Sequence, residues 1–238
     1  MPIGRNVLSY GVASMVLPSK AIGKSMQEPL STTGNIRGVI FDVYGTLAEI
    51  RNKTAPYRKL LELGEAQGRP RQAADAELIM SRPLGLTEAA AKLGIELNET
   101  ERQHLEALLA AEIESIELFD DVATCLQQLR QSGLKLALCS NLAAPYAQPI
   151  ADSLPISLDA YTWPFSTGAI KPDVSIYLHT CKALGISPQE VVMVGDTYDA
   201  DVAGPRNTGL QAIWLRRDMD KPGEWINTLK QLPEIILI

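Results

Sequence analysis

Two histidines and three cysteines are the whole stock of imidazole and thiol ligands in this 238-residue chain. So few histidines leave no basis for a histidine metal cage or a Ser-His-Asp triad. Cys125, Cys139 and Cys181 are widely spaced and odd in number, which argues against a disulfide framework and against a cysteine-rich zinc site. They read as small core residues of a protein in a reducing, cytoplasmic setting. No apolar run approaches the roughly 20 residues that cross a bilayer, so a spanning helix is excluded and no membrane partner is expected. Basic clusters are missing too: 22 Lys+Arg stand against 28 Asp+Glu, for a net charge of −6. A nucleic-acid partner is therefore disfavoured. Any chemistry falls to the carboxylates.

What is present suits an ordinary globular protein, with 46% hydrophobic and 21% charged residues. The length fits one large domain or one domain with an insertion. The first 27 residues differ in composition, holding Arg5, Lys20 and Lys24 and no acid, so the rest of the chain carries 28 acids against 19 bases. Their short apolar stretch is broken by Ser9, Gly11 and Ser14 and is weak for a secretory signal. Residues 1–34 read as an extension ahead of the fold, or as an over-extended start with Met26 the initiator; a transit peptide is the competing reading.

Ile36 to Phe41 is β-branched and nearly all apolar, the pattern of a strand buried on both faces. Residues from about 54 to 118 offer only helical patterns, Tyr57-Leu60-Leu61 and Leu105-Leu108-Leu109-Glu112-Ile116 among them, and one opens on Asn98 with Glu101 three residues later, a capping box. Helix and strand then alternate: a helix face at Val122, Leu126 and Leu129, a strand at Leu134 to Cys139, a helix from Val174 to Leu184 stopped by Gly185, and strands at Val191 to Val194 and Gln211 to Leu215. This predicts an α/β fold, a Rossmann-like parallel sheet core formed by residues 35–49 and 119–238, interrupted by a helical insertion at 50–118.

Ligands of such sheets bind beyond the carboxyl ends of the strands. There stand Asp42-Val43-Tyr44-Gly45-Thr46 after the first strand, Ser140-Asn141 after the Leu134 strand, and Gly195-Asp196-Thr197-Tyr198-Asp199-Ala200-Asp201 after the Val191 strand, with Lys171-Pro172-Asp173 between the last two. Each piece alone is common turn or capping chemistry. Together they gather carboxylates that repel unless a cation sits between them, and an all-oxygen donor set selects Mg²⁺. The Ser140 hydroxyl, the Lys171 ammonium and backbone amides would hold an anion beside the metal.

These four motifs, in this order, resemble those of the haloacid dehalogenase-like hydrolases over about residues 36–216, and the insertion resembles the cap of that family's dehalogenase and phosphoglycolate-phosphatase-like branch. The resemblance implies Asp42 as nucleophile and Tyr44, Ser140 and Lys171 as further catalytic groups, Tyr44 as a proton donor though a poor base. It also implies Thr46, Ser140, Asn141 and Lys171 as ligands of a small anionic substrate, and Asp42, the Tyr44 carbonyl, Asp196 and Asp201 as ligands of Mg²⁺. Asp199 falls where the family varies.

The departure is Tyr44. Family phosphatases have an aspartate there, acting as general acid and base, whereas tyrosine is typical of the 2-haloacid dehalogenases, which form an ester at the same nucleophile, need no metal and carry a small or neutral residue in place of Asp196. The expectation is a Mg²⁺-dependent phosphatase with an aspartyl-phosphate intermediate. A 2-haloacid dehalogenase and a low-turnover, anion-binding regulatory module remain the alternatives. Arg51, Lys53, Arg58, Arg69, Arg71 and Arg82 are basic residues of the insertion with the reach to meet an anionic tail, though charges on helices usually form a solvated face. Nothing in the sequence reads on oligomeric state.

Overall fold

The computed structural model describes residues 34–220 and 223–237. Strand β1 (Gly38–Phe41) opens the fold and is followed by a short strand β2 (Ala48–Ile50). Four helices come next, α1 (Pro56–Ala66), α2 (Asp75–Met80), α3 (Leu86–Leu93) and α4 (Glu99–Glu114), and strand β3 (Ile116–Leu118) returns antiparallel along β2. Then α5 (Val122–Gln131), β4 (Lys135–Cys139), α6 (Ala147–Ser153), β5 (Ala160–Thr162), α7 (Pro164–Thr167) and α8 (Val174–Leu184) succeed one another. Strand β6 (Val191–Gly195), a π-helical stretch at Tyr198–Ala203, α9 (Gly204–Asn207), β7 (Gln211–Trp214) and α10 (Leu232–Ile236) complete the chain. Among the described residues no helix is long and apolar enough to cross a membrane.

The main sheet is parallel and ordered β5-β4-β1-β6-β7. Period-two alternation sends Val39, Phe41, Leu136, Leu138, Val192 and Val194 to one face, against Val122, Cys125, Leu126 and Leu129 of α5. Ile40, Ala137, Cys139, Val191 and Met193 go to the other, against Ile176, Tyr177, Cys181 and Leu184 of α8. With both faces covered the strands must be apolar throughout, which is why the sequence shows unbroken runs. All three cysteines are free and buried in these layers.

Helix α4 starts on the foreseen capping box: the Glu101 amide donates to Asn98 Oδ1 at 2.9 Å and the Asn98 amide to Glu101 Oε2 at 2.9 Å. Gly185 ends α8 in the left-handed region. The structure departs from the sequence reading at Ile116, expected to extend the α4 face. That helix stops at Glu114, and Ile116–Leu118 is a strand because Ala48–Ile50 pairs with it from 66 to 70 positions away, Ile50 opposite Ile116. The three-residue β5 and the π-helical stretch were not foreseen either. The extension read at residues 1–34 lies, but for its last residue, outside the described residues.

Candidate active site

In-register pairing sets Phe41 beside both Leu138 and Val194, so the three central strands end within one residue of one another. Asp42 therefore emerges between Ser140, just beyond β4, and Asp196, just beyond β6. The Asp42 amide still donates to the Val194 carbonyl at 2.9 Å, holding the residue against the sheet. The chain then turns on the Val43 carbonyl, which accepts from the amides of Thr46 (3.2 Å), Leu47 (2.7 Å) and Ala48 (3.0 Å). Gly45 sits in this turn at φ +85°, and a Cβ on it would overlap the Asp196 carboxylate. Glycine is thus required twice, by backbone conformation and by the approach of a carboxylate.

Oxygens of Asp42, Asp196 and Asp201 lie within 4.8 Å of one another. The Lys171 ammonium donates to Asp42 Oδ1 at 2.7 Å and to Asp201 Oδ1 at 2.6 Å, while Asp201 Oδ2 accepts from the Thr197 amide at 2.9 Å. The wider π-helical turn carries Asp201 inward, and Gly195 makes room: a Cβ there would overlap the Asp201 carboxyl group. Tyr177 braces the same turn by donating to the Ala200 carbonyl at 2.6 Å. Asn141 spends its side chain on the Lys171 backbone, donating to its carbonyl and accepting from its amide, both at 2.8 Å.

The electrostatics follow from burial and crowding. Asp196 is pushed well above the ordinary carboxylate range by burial and by the neighbouring Asp42 and Asp201 charges. Asp201 is raised as well, by burial first, with Lys171 opposing the effect. Burial alone would discharge Lys171, but Asp201 and Asp42 outweigh it and keep the ammonium charged. Three carboxylates against one ammonium leave an excess of negative charge on hard oxygen donors, a set that fits a small divalent cation.

Around this cluster lie the remaining expected residues. Ser140 is buried at the end of β4. Thr46 is fully buried, and its hydroxyl has no hydrogen-bond partner among the described residues; the same holds for the Tyr44 hydroxyl. The Tyr44 ring meets Tyr146 edge-on at 6.1 Å, and the Tyr57 ring of α1 lies 6.4 Å from that of Tyr146. Asp199 is exposed and stands outside the cluster. Of the basic residues of the insertion, Arg69 is paired with Asp75, Arg71 with Glu65, and Arg51 with Glu117.

Glu112 was missed as anything but a position on the α4 face. It is 1% exposed, accepts from the Tyr146 hydroxyl at 2.5 Å and from the Ala55 amide at 2.9 Å, and its charge acts on Tyr44. The signal was available: a glutamate occupying an apolar position of a helical repeat is a buried charge in need of partners.

A carboxylate-bearing turn after the first strand, a lysine bridging two carboxylates and a third carboxylate beyond β6 define a class. The chain belongs to the haloacid dehalogenase-like hydrolases, whose family profile matches residues 36–209. Its relatives divide between two chemistries. N-acylneuraminate-9-phosphatase of Mus musculus is 30% identical over 128 residues, covering 50% of this chain and 52% of that protein, so the chain spans about half the length of this curated relative. (S)-2-haloacid dehalogenase 4A of Burkholderia cepacia is 26% identical over 202 residues, covering 79% of this chain and 86% of that one. Among solved structures, the HAD phosphatase from Thermococcus onnurineus superposes with a TM-score of 0.58 at 24% identity, covering 84% of this chain and 98% of its own, and supports the fold.

Proposed function

We propose that this hydrolase is a Mg²⁺-dependent phosphatase acting on a small phosphate ester through an aspartyl-phosphate at Asp42. The observation that carries the reading is the third carboxylate: Asp196 stands with Asp42 and Asp201 within 4.8 Å, an arrangement that opposes itself unless a cation shares it.

Lys171 occupies Oδ1 of Asp42, which leaves Oδ2 to attack phosphorus. The Oδ2–P bond forms as the ester P–O bond breaks, and the departing alkoxide takes up a proton; water then attacks the acyl phosphate, releasing orthophosphate and restoring the carboxylate. Ser140 and Thr46 offer buried hydroxyls to the phosphoryl oxygens, and Lys171 offers its charge. Asn141, expected to touch substrate, holds the Lys171 backbone with its side-chain amide. Asp42, Asp196, Asp201 and the Tyr44 carbonyl would hold Mg²⁺, which when bound supplies neutralisation of the phosphoryl charge. Helices α1 to α4, entered and left through β2 and β3, act as a cap that shields the reaction from water over a core of residues 35–49 and 119–238. Three free buried cysteines accord with a cytoplasmic setting.

One observation favours a second reading, a 2-haloacid dehalogenase: the position two residues after the nucleophile holds Tyr44, whose buried hydroxyl replaces the carboxyl a phosphatase uses. A panel of phosphate esters and 2-haloacids, assayed with Mg²⁺ and with chelator, separates the two. The phosphatase reading expects ester hydrolysis that chelator abolishes, and Asp42→Asn expects no turnover and no trapping of a beryllium-fluoride acyl-phosphate mimic. Halide release in chelator would sink it.

A further inference from the structure

Beyond the last residue matched by the family profile, Arg217 reaches back across the fold. Its guanidinium grips Asp121 with two bonds of 2.9 Å, one to each carboxylate oxygen. The same group donates to the Thr46 carbonyl, from Nη2 at 2.7 Å and Nε at 3.3 Å. It stacks over the Phe119 ring at 4.0 Å. Asp121 is 5% exposed and accepts two further bonds, from the Thr228 hydroxyl at 2.6 Å and the Leu229 amide at 2.8 Å. One planar cation thus joins the nucleophile turn, the chain leaving β3 and the C-terminal segment. A lysine cannot make this forked contact.

Its location gives the contact a consequence. Thr46 precedes β2 and Phe119 follows β3, and the Phe119 amide donates to the Leu47 carbonyl at 3.0 Å, so the guanidinium closes the base of the ribbon through which helices α1 to α4 join the sheet. The Thr46 carbonyl belongs to the peptide whose other end is the Leu47 amide, the 2.7 Å donor that holds the turn after Asp42 on the Val43 carbonyl. Rotating that peptide would break the turn that follows Asp42 and move the buried, unpartnered Thr46 hydroxyl with it.

We propose that Arg217 is a positioning residue: paired with Asp121, it sets the Thr46–Leu47 peptide from outside the site and so fixes the nucleophile turn and the root of the β2–β3 ribbon. For its kinetic consequence the inference rests on the phosphatase reading; for its structural consequence it does not.

The test uses the full chain with Arg217→Ala, and Arg217→Lys as a second variant that keeps a cation beside Asp121. With an aryl phosphate and Mg²⁺, Arg217→Ala is expected to lower kcat at least tenfold with KM within twofold of the native value, a displacement effect rather than lost binding. Guanidinium ion at tens of millimolar restores part of that kcat. Amide exchange at Thr46, Leu47 and Ala48 accelerates at least tenfold while β4 and β6 keep their protection, and Arg217→Lys shows the same exchange pattern if Arg217→Ala does not stay soluble. A kcat per folded molecule within twofold of native, a kcat loss without rescue, or unchanged exchange at those amides overturns the proposal. If the native protein hydrolyses no phosphate ester, the exchange measurement alone decides this inference, and the failure falls on the phosphatase reading.

Discussion

Tyr44 is the residue at which the two proposed readings of this chain part. Its ring is packed against Tyr146, and burial, aided by the charges of Glu112 and Asp42, pushes its hydroxyl above the ordinary tyrosine range. The phenol keeps its proton at neutral pH and is a poor base, so turnover is expected to depend on the leaving group's own stability, with aryl and acyl phosphates hydrolysed much faster than alkyl ones. Tyr44→Asp places a carboxyl two residues after Asp42 and should raise kcat for alkyl phosphates more than for aryl ones, by up to about 10²-fold; paired steady-state measurements on one ester of each kind check it. Equal rates on both classes for the native protein would count against the argument. The neighbouring Gly45→Ala meets two obstacles, a left-handed backbone costing about 1–2 kcal/mol and a Cβ in the space of the Asp196 carboxylate. Calorimetric titration with Mg²⁺ is expected to show weakened binding in a protein that still folds.

At the scale of elements, local chemistry and long-range pairing contribute separately. Helix α4 carries its own start signal, and removing one half of the reciprocal cap with Asn98→Ala should cost about 1 kcal/mol, read as a lowered Tm with the phosphatase assay unchanged. The α8 boundaries were legible for the same reason, since Asp173 caps its first turn by accepting from the Ser175 amide and Gly185 ends it. The ribbon strands β2 and β3 were not legible, because three residues are too few to show a period and their partners lie far apart in the chain. The π-helical stretch was hidden as well: the sequence spaces Asp196 and Asp201 without saying which backbone coils the intervening residues inward.

Over the whole molecule, charge accumulates at one sheet edge and is balanced elsewhere by pairing. Adding Mg²⁺ is expected to raise Tm through relief of the Asp42, Asp196 and Asp201 repulsion, and Asp196→Asn should remove most of that shift while leaving the metal-free protein at least as stable as native. Scanning calorimetry with and without the metal checks both halves. Asp121 behaves in the opposite sense. Burial would raise its pKa, but Arg217, Thr228 and the Leu229 amide together hold it below the usual carboxylate range. The stability it contributes is therefore complete above the unfolded value near pH 4 and is lost as pH falls through the lower folded value. Asp121→Asn should be less stable than native at pH 7, and the gap should narrow in acid; a gap of constant size from pH 7 to pH 3 would show that the ion pair is not its source.

The sequence by itself determined the parallel sheet, the helical segment within it and the residues at the strand ends, because each of these is written in local terms: apolar runs for strands covered on both faces, a capping box, glycines where no Cβ fits. Asp42, Ser140, Lys171, Asp196 and Asp201 were readable as a set because a parallel sheet brings the ends of its strands to one edge whatever lies between them. Only the tertiary structure decided how they meet. That Lys171 spans Asp42 and Asp201, that Asn141 turns to the Lys171 backbone, that Glu112 lies buried against Tyr146 and that Arg217 reaches Thr46 are consequences of packing between residues 30 to 171 positions apart. No local pattern encodes such distances; they are set when burial forces each polar group to find a partner in the folded chain.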